Sequence, residues 1–324
     1  MADGNDILID GIATSSDEGD ATVISAGGAD IVVVPLGDMI LHADYARIGP
    51  DLRLTGPDGQ VVVIKGFFAG SQPPALETAG GAQIPADLAA KLAGPDMLGK
   101  LAGGNGDDQI LGGPGGDNLV GDPIGHVETA QGEVKVVRAD GTTVVLQPGD
   151  PIFQGDTIVT GTGGAVGVLF VDKTTMGLGE DARMVIDELV FDPATKLGSQ
   201  LFSLVQGTFV IASGEIGKLS PDSVEIRTPV ATIGIRGTKF GVSVDSQSGE
   251  TMVSIFEGAV EVRNSHGFAE LRESCESVFV SSQYDPIGTI FAIDEVQKIH
   301  IFGKALRFAP HQPRLDIENL HPRD

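Results

Sequence analysis

The sequence predicts a mainly β protein, a sandwich or rolled sheet preceded by a small β unit and a short glycine-rich β-roll segment. Three observations predict it. Forty-six Gly and 18 Pro stand beside five per cent aromatic residues and no Trp, a composition of many turns between short strands rather than of packed helices. Apolar and polar residues alternate through Val224/Ile226, Phe240/Val242/Val244 and Val253/Ile255, the period of a half-buried strand. Turn pairs fall between such runs at Asp140-Gly141, Pro148-Gly149, Gly163-Gly164 and Ser248-Gly249. With 324 residues, 41% of them hydrophobic, the chain is long enough for about two compact domains.

The elements follow in order. Residues 1–30 form an acidic Gly/Asp-rich segment whose aliphatic bursts, Ile7-Leu8-Ile9 and Val23-Ile24, are strand-like at best. Residues 31–102 predict a small β unit with one short helix. Ile31-Val32-Val33-Val34 and Val61-Val62-Val63-Ile64 are β-type runs, and Asp58-Gly59 supplies a hairpin turn before the second. Pro85 suits a first helical position and Gly94 a carboxyl-terminal cap.

Residues 103–124 hold two tandem nonapeptides, Gly103–Leu111 and Gly112–Val120, both fitting G-G-x-G-x-D-x-U-x. Their glycines permit positive φ, Asp108 and Asp117 occupy the sixth positions with Asp107 beside the first, and Ile110 and Leu119 occupy the eighth. Oxygen ligands on a flexible backbone suit calcium. Two turns alone supply half-sites, so a complete site needs a further turn. Gly4-Asn5-Asp6-Ile7-Leu8 and Gly28-Ala29-Asp30-Ile31-Val32 each imitate half a repeat. The plainer alternative has Ile110 and Leu119 as ordinary strand residues and the carboxylates in water.

Residues 125–264 predict one continuous β domain with the 228–240 segment buried as a central strand pair. Residues 265–324 form a carboxyl-terminal extension with strand-like Ser277-Val278-Phe279-Val280, fraying beyond about Ala309.

The formal charge of −24 comes from 45 acidic and 21 basic residues, so the chain repels phosphate backbones and anionic lipid. Residues 1–46 contain nine Asp or Glu and no Lys or Arg. Cys275 is the single cysteine, which excludes an internal disulfide. No run of about 18 apolar residues occurs, and Met1-Ala2-Asp3-Gly4-Asn5-Asp6 lacks the basic and apolar parts of a cleaved leader. The expectation is retention inside the cell or export by another route.

Four stretches of the 125–264 region resemble the FecR family. Gly149-Asp150 with Gly155-Asp156-Thr157-Ile158-Val159-Thr160 resembles its paired Gly-Asp turns, and Phe170-Val171-Asp172 with Leu178-Gly179 the strand and turn after them. Thr228 to Phe240, reading TPVATIGIRGTKF, resembles its strongest signature, and Glu257-Gly258-Ala259-Val260-Glu261-Val262 its closing hairpin. The resemblance implies a FecR-like β-sandwich or rolled sheet, with Arg236, Gly237 and Thr238 as an interaction or structural signature. The Gly-Asp pairs read as turn chemistry. Arg236, between Ile235 and Gly237, needs either a carboxylate inside the fold, with the acidic strand ends as the expected source, or a ligand outside it. FecR proteins relay a surface-receptor signal across the inner membrane to a sigma factor. The segments Ala46–Leu54, Asp58–Val63 and Gly66-Phe67-Phe68 resemble the small β prefix of large biofilm adhesins, and the nonapeptides are similar to the calcium-binding repeats of RTX proteins, which leave by type I secretion.

Catalytic patterns are missing. Gly94-Pro95-Asp96-Met97-Leu98-Gly99-Lys100 imitates a phosphate loop, but Leu101 stands where Ser or Thr would hold magnesium. The histidines at 42, 126, 266, 300, 311 and 321 show no close ligand spacing, and no G-x-S-x-G elbow occurs. The sequence thus predicts a non-enzymatic envelope or secreted FecR-domain protein, an interaction or structural module stabilised by calcium. It would be secreted, at the cell surface or in the periplasm, and its partners would be envelope or cell-surface proteins or further copies of itself, with no nucleic acid and no integral membrane segment. The alternative is a FecR-type periplasmic signalling protein that regulates a sigma factor through a partner.

Overall fold

The computed structural model describes residues 21–70, 72–94, 123–192, 198–219 and 223–310. The fold is mainly β, in several sheets with no closed barrel.

The amino-terminal unit contains β1 (Ala21–Ser25), β2 (Ile31–Val33), α1 (Met39–His42), β3 (Asp44–Ile48), β4 (Asp51–Thr55), β5 (Val61–Lys65), β6 (Ala75–Glu77), β7 (Gln83–Ile84) and α2 (Ala86–Ala93). Its sheets run β1-β5-β4-β3 and β2-β6-β7. The Asp58-Gly59 turn joins β4 to β5, with Gly59 at φ +83°. Helix α2 lies where Pro85 and Gly94 place it. Pro85 is the residue before the first turn, and Gly94 ends it at φ +66°.

The remaining strands form one 15-stranded sheet. They are β8 (Gly125–Gln131), β9 (Val134–Val137), β10 (Thr143–Val145), β11 (Pro151–Ile152), β12 (Thr157–Thr160), β13 (Ala165–Phe170), β14 (Thr175–Leu178), β15 (Arg183–Phe191), β16 (Gly198–Ala212), β17 (Val224–Arg227), β18 (Thr232–Val244), β19 (Thr251–Asn264), β20 (Gly267–Leu271), β21 (Glu276–Val280) and β22 (Phe291–Ala292), followed by α3 (Glu295–Phe308). Gly141, Gly149, Gly163 and Gly249 all have φ between +73° and +93°, as their turn pairs require.

Three long strands belong to two arms of this sheet. The first part of β16 pairs with β15 and β17, and from Gly207 onward it pairs with β14 and β18. Strand β18 pairs with β17 through Gly234 and with β16 from Lys239. Strand β19 pairs with β21 before Ile255 and with β20 from Val260. A positive-φ glycine marks each transition: Gly207 (+98°), Gly237 (+59°) and Gly258 (+91°). The arms share one apolar core, and Phe170 of one meets Phe202 of the other at 5.2 Å between ring centroids. That core continues into the amino-terminal unit through Leu41, Leu76, Ile84 and Leu88.

Helix α3 packs on the other face of one arm, opposite the core. A row of small residues crosses the sheet beneath it in register, Thr129–Gly167–Gly177–Val210–Gly241–Ser254–Ser277. The helix backbone comes so close that a Cβ on Gly167 would strike the Phe308 carbonyl, and one on Gly177 the Ala305 carbonyl. Phe302, Ala305, Leu306 and Ala309 form a second buried cluster with Val210 and Met252.

Candidate interaction site

The signature segment occupies the corner where β18 passes between arms. A turn precedes the strand: the Thr228 amide donates to the Ala231 carbonyl at 2.8 Å, and the Ala231 amide donates to Thr228 Oγ1 at 3.1 Å. Ile233 and Ile235 are buried, and so are Phe240, Val242 and Val244. The spacing from Ile235 to Phe240 is odd, so strict alternation would turn one of them outward. A bulge between Arg236 and Lys239 restores the face.

Gly237 supplies the left-handed residue this requires. Gly258 on β19 answers it, since a side chain there would strike the Gly237 carbonyl. Thr238 is 4% exposed and ties the bulge together. Its Oγ1 accepts from the Arg236 amide at 3.0 Å and donates to the Ala259 carbonyl at 3.1 Å, while its amide donates to Ser213 Oγ at 2.8 Å. Gly237 and Thr238 are therefore structural.

Arg236 corrects the expectation of an internal carboxylate. Its side chain is exposed, and no ion pair or side-chain hydrogen bond reaches its guanidinium among the described residues. Ile235 takes the buried position, and the bulge leaves Arg236 on the outer face. Lys239 lies on that face across the bulge, half-buried and also without an ion-pair partner among the described residues. Burial and then the positive charge of Lys298 hold its ammonium below the usual lysine value, against the opposing pull of Glu257.

The Gly-Asp turns are structural as well. Asp150 accepts from the Gln147 amide at 2.7 Å. Asp156 accepts from the Phe153 amide at 2.8 Å and pairs with Arg138, a partner brought in only by the pairing of distant strands. Asp172 accepts from the Thr174 amide and hydroxyl at 3.0 and 2.8 Å.

Beside the Thr228–Ala231 turn lies a cleft of about 340 Å³, with Gln83, Arg227, Pro229, Arg263 and Asn264 among its walls. Both arginines are already paired, Arg227 with Glu225 and Asp87, and Arg263 with Glu261. The amino-terminal unit docks along this side. Lys91 Nζ lies 2.6 Å from Asp187 Oδ1, the Gln83 amide donates to the Pro229 carbonyl at 2.8 Å, and Arg183 Nη1 donates to the Ala43 carbonyl at 2.7 Å.

The calcium ligands expected from the nonapeptides, Asp107, Asp108 and Asp117, lie outside the described residues. Within them no group of three or more His, Cys, Asp or Glu residues could hold a metal ion, and no helix is long and apolar enough to cross a membrane. The sequence reading missed α3. Its signal was present in Asp294 and Gln297, which form a reciprocal capping box, ahead of the apolar spacing Ile299, Phe302, Leu306.

A bent β sheet whose signature segment forms a glycine corner defines the class, a β-rich domain. Residues 156–261 match the family model described as FecR protein, which spans the corner and the adjoining strands. Among solved structures the chain is similar to two of a provisionally assigned anti-sigma factor from Parabacteroides distasonis ATCC 8503. The first is 20% identical, covers 44% of this chain and 62% of that one, and has a TM-score of 0.34. The second is 19% identical, covers 45% and 63%, and has a TM-score of 0.35. A cell surface anchoring domain is 41% identical over 19% of this chain and 83% of its own, with a TM-score of 0.19. The chain thus spans about three-fifths of the anti-sigma-factor chains it matches. No curated protein matches it.

Proposed function

We propose that this chain is a non-enzymatic FecR-type signalling component of the bacterial envelope, facing outward from the cytoplasm, that acts by binding other proteins and regulates a sigma factor through a partner. The observation that carries this reading is the family match over residues 156–261. The corner and its docked amino-terminal unit offer surface for protein contact, and the charge of −24 disfavours nucleic acid and anionic lipid. A second reading, a calcium-stabilised secreted module exported by a type I route, is favoured by the tandem nonapeptides at 103–120.

Deletion of the gene in its host, followed by transcript profiling and cell fractionation, tests the first reading. Altered expression of one sigma-dependent set, with the protein in an envelope complex, is the expected result. An unchanged transcriptome with the protein in the medium overturns it and favours the second.

A further inference from the structure

We propose that the β18 corner recognises an acidic segment of a partner protein, with the Arg236 guanidinium as the principal contact and Lys239 beside it. This inference rests on the reading that the chain works by binding another protein.

The argument begins with what the fold explains. Gly237 and Gly258 are demanded by the backbone of the bulge, and Thr238 by its hydrogen bonds. Among the described residues nothing pairs with the Arg236 guanidinium. Two strand arginines, Arg227 and Arg263, and Arg272 just after β20 show one way in which this chain satisfies such a group. Arg227 pairs with Glu225 at 2.7 Å, Arg263 with Glu261 at 3.1 Å and Arg272 with Glu270 at 2.6 Å. In each pair the carboxylate stands two residues earlier in the chain, and for Arg227 and Arg263 that is on the same strand face. For Arg236 the corresponding residue is Gly234, the residue two further on is Thr238, and the cross-strand partner is Ala259. These nearest positions are uncharged; of the diagonal carboxylates, Glu261 is paired with Arg263, and neither Glu261 nor Glu257 forms an ion pair with Arg236 among the described residues.

The local surface suits an incoming chain. Nothing lies within 4 Å of where a Gly237 side chain would stand, so a partner backbone can approach closely. The bulge is tied down by Thr238, so the guanidinium is presented from a fixed backbone, which lowers the entropy cost of binding. Glu257 opposes Lys239 across the ladder, yet no ion pair forms between them. Lys298 approaches from α3, paired with Glu295 at 3.2 Å and with its Nζ 4.9 Å from the centre of the Phe256 ring. Arginine binds carboxylates bidentately. The acidic body of the molecule repels extended polyanions, which leaves a short carboxylate-bearing peptide as the ligand.

The full chain is titrated with a fluorescein-labelled peptide of alternating Glu and Val, with its Gln/Val counterpart, and with phosphatidylglycerol vesicles, at low ionic strength. The Glu peptide is expected to bind wild type, to bind R236A/K239A about tenfold more weakly, to bind R236K with intermediate affinity and to bind R307A, an exposed arginine on α3, as wild type does. Circular dichroism matching wild type shows that the substitutions leave the fold intact. Equal affinity for the Gln peptide, equal affinity of the double variant, no binding by wild type, or binding to vesicles in preference to peptide overturns the proposal. The measurement needs no host pathway: a transcriptome indifferent to gene deletion removes the signalling reading alone, and equal binding by the variants removes this site alone.

Discussion

Gly177 of β14 lies directly beneath the Ala305 carbonyl of α3, so close that any side chain at Gly177 would occupy the position of that oxygen. Its cross-strand neighbours on that face are Gly167 and Val210, and together they make a trough in which the helix backbone rests on the sheet.

Replacing Gly177 with Val is therefore expected to lift α3 from the sheet and to cost about 1–3 kcal/mol, the usual range for overpacking. Urea denaturation measures the loss. Limited proteolysis should cleave near residues 281–294 sooner than in wild type. Unchanged stability and cleavage would contradict the close approach.

Thr238 allows a cleaner test of the corner. Thr238→Val keeps the shape but removes the hydroxyl that accepts from the Arg236 amide and donates to the Ala259 carbonyl. Two backbone groups then lose their partner, at a cost of about 1–3 kcal/mol. Thr238→Ser keeps the hydroxyl and should recover most of it, read as the shift in denaturation midpoint.

Asp187 carries the docking of the amino-terminal unit. Its side chain is 1% exposed, Oδ1 meets Lys91, and Oδ2 has no partner among the described residues. Lys91→Ala removes the counter-charge and should destabilise by about 1–3 kcal/mol. The double replacement K91M/D187L removes both charges and should restore stability to near wild type. Calorimetry in which the double variant is the least stable of the three would refute this account.

Burial pushes the Asp156 carboxyl up to about 6 from an ordinary value of 3.8, against the lowering pull of the Phe153 amide and of Arg138. Between these values the folded chain holds a proton that the unfolded chain has released. This group's stabilisation is therefore full below about pH 3.8 and is lost as pH rises through about 6. The stability of wild type relative to D156N should fall across that window, as measured by denaturation at a series of pH values. A difference that is flat or rises with pH contradicts the assignment.

Calcium is expected to bind the nonapeptide region through Asp108 and Asp117. Isothermal titration at up to about millimolar calcium, the weak end of extracellular modules, should give heat with wild type and little with D108A/D117A. Identical heats from the two proteins would remove the site.

The local features of this protein can be read along its chain. Alternation placed Ile226, Phe240, Val242 and Val253 on one buried face, the Gly-containing pairs fixed the turns at 59, 141, 149, 163 and 249, and the signature residues marked the corner. Periodicity and left-handed glycines express themselves within a few residues of chain, so they can be read in one dimension. Tertiary structure decided the rest. Nothing local says that Gly167, Gly177 and Gly241, distant in sequence, stand in one cross-strand row, because register depends on strands pairing across the chain. For the same reason the mixed face could be read only as a second face, whereas folding covers it with α3. Arg236 shows the same division: along the chain it is a charge interrupting an apolar segment, and only the bulge between Ile235 and Phe240 decided that the backbone would be buried and the guanidinium left facing out.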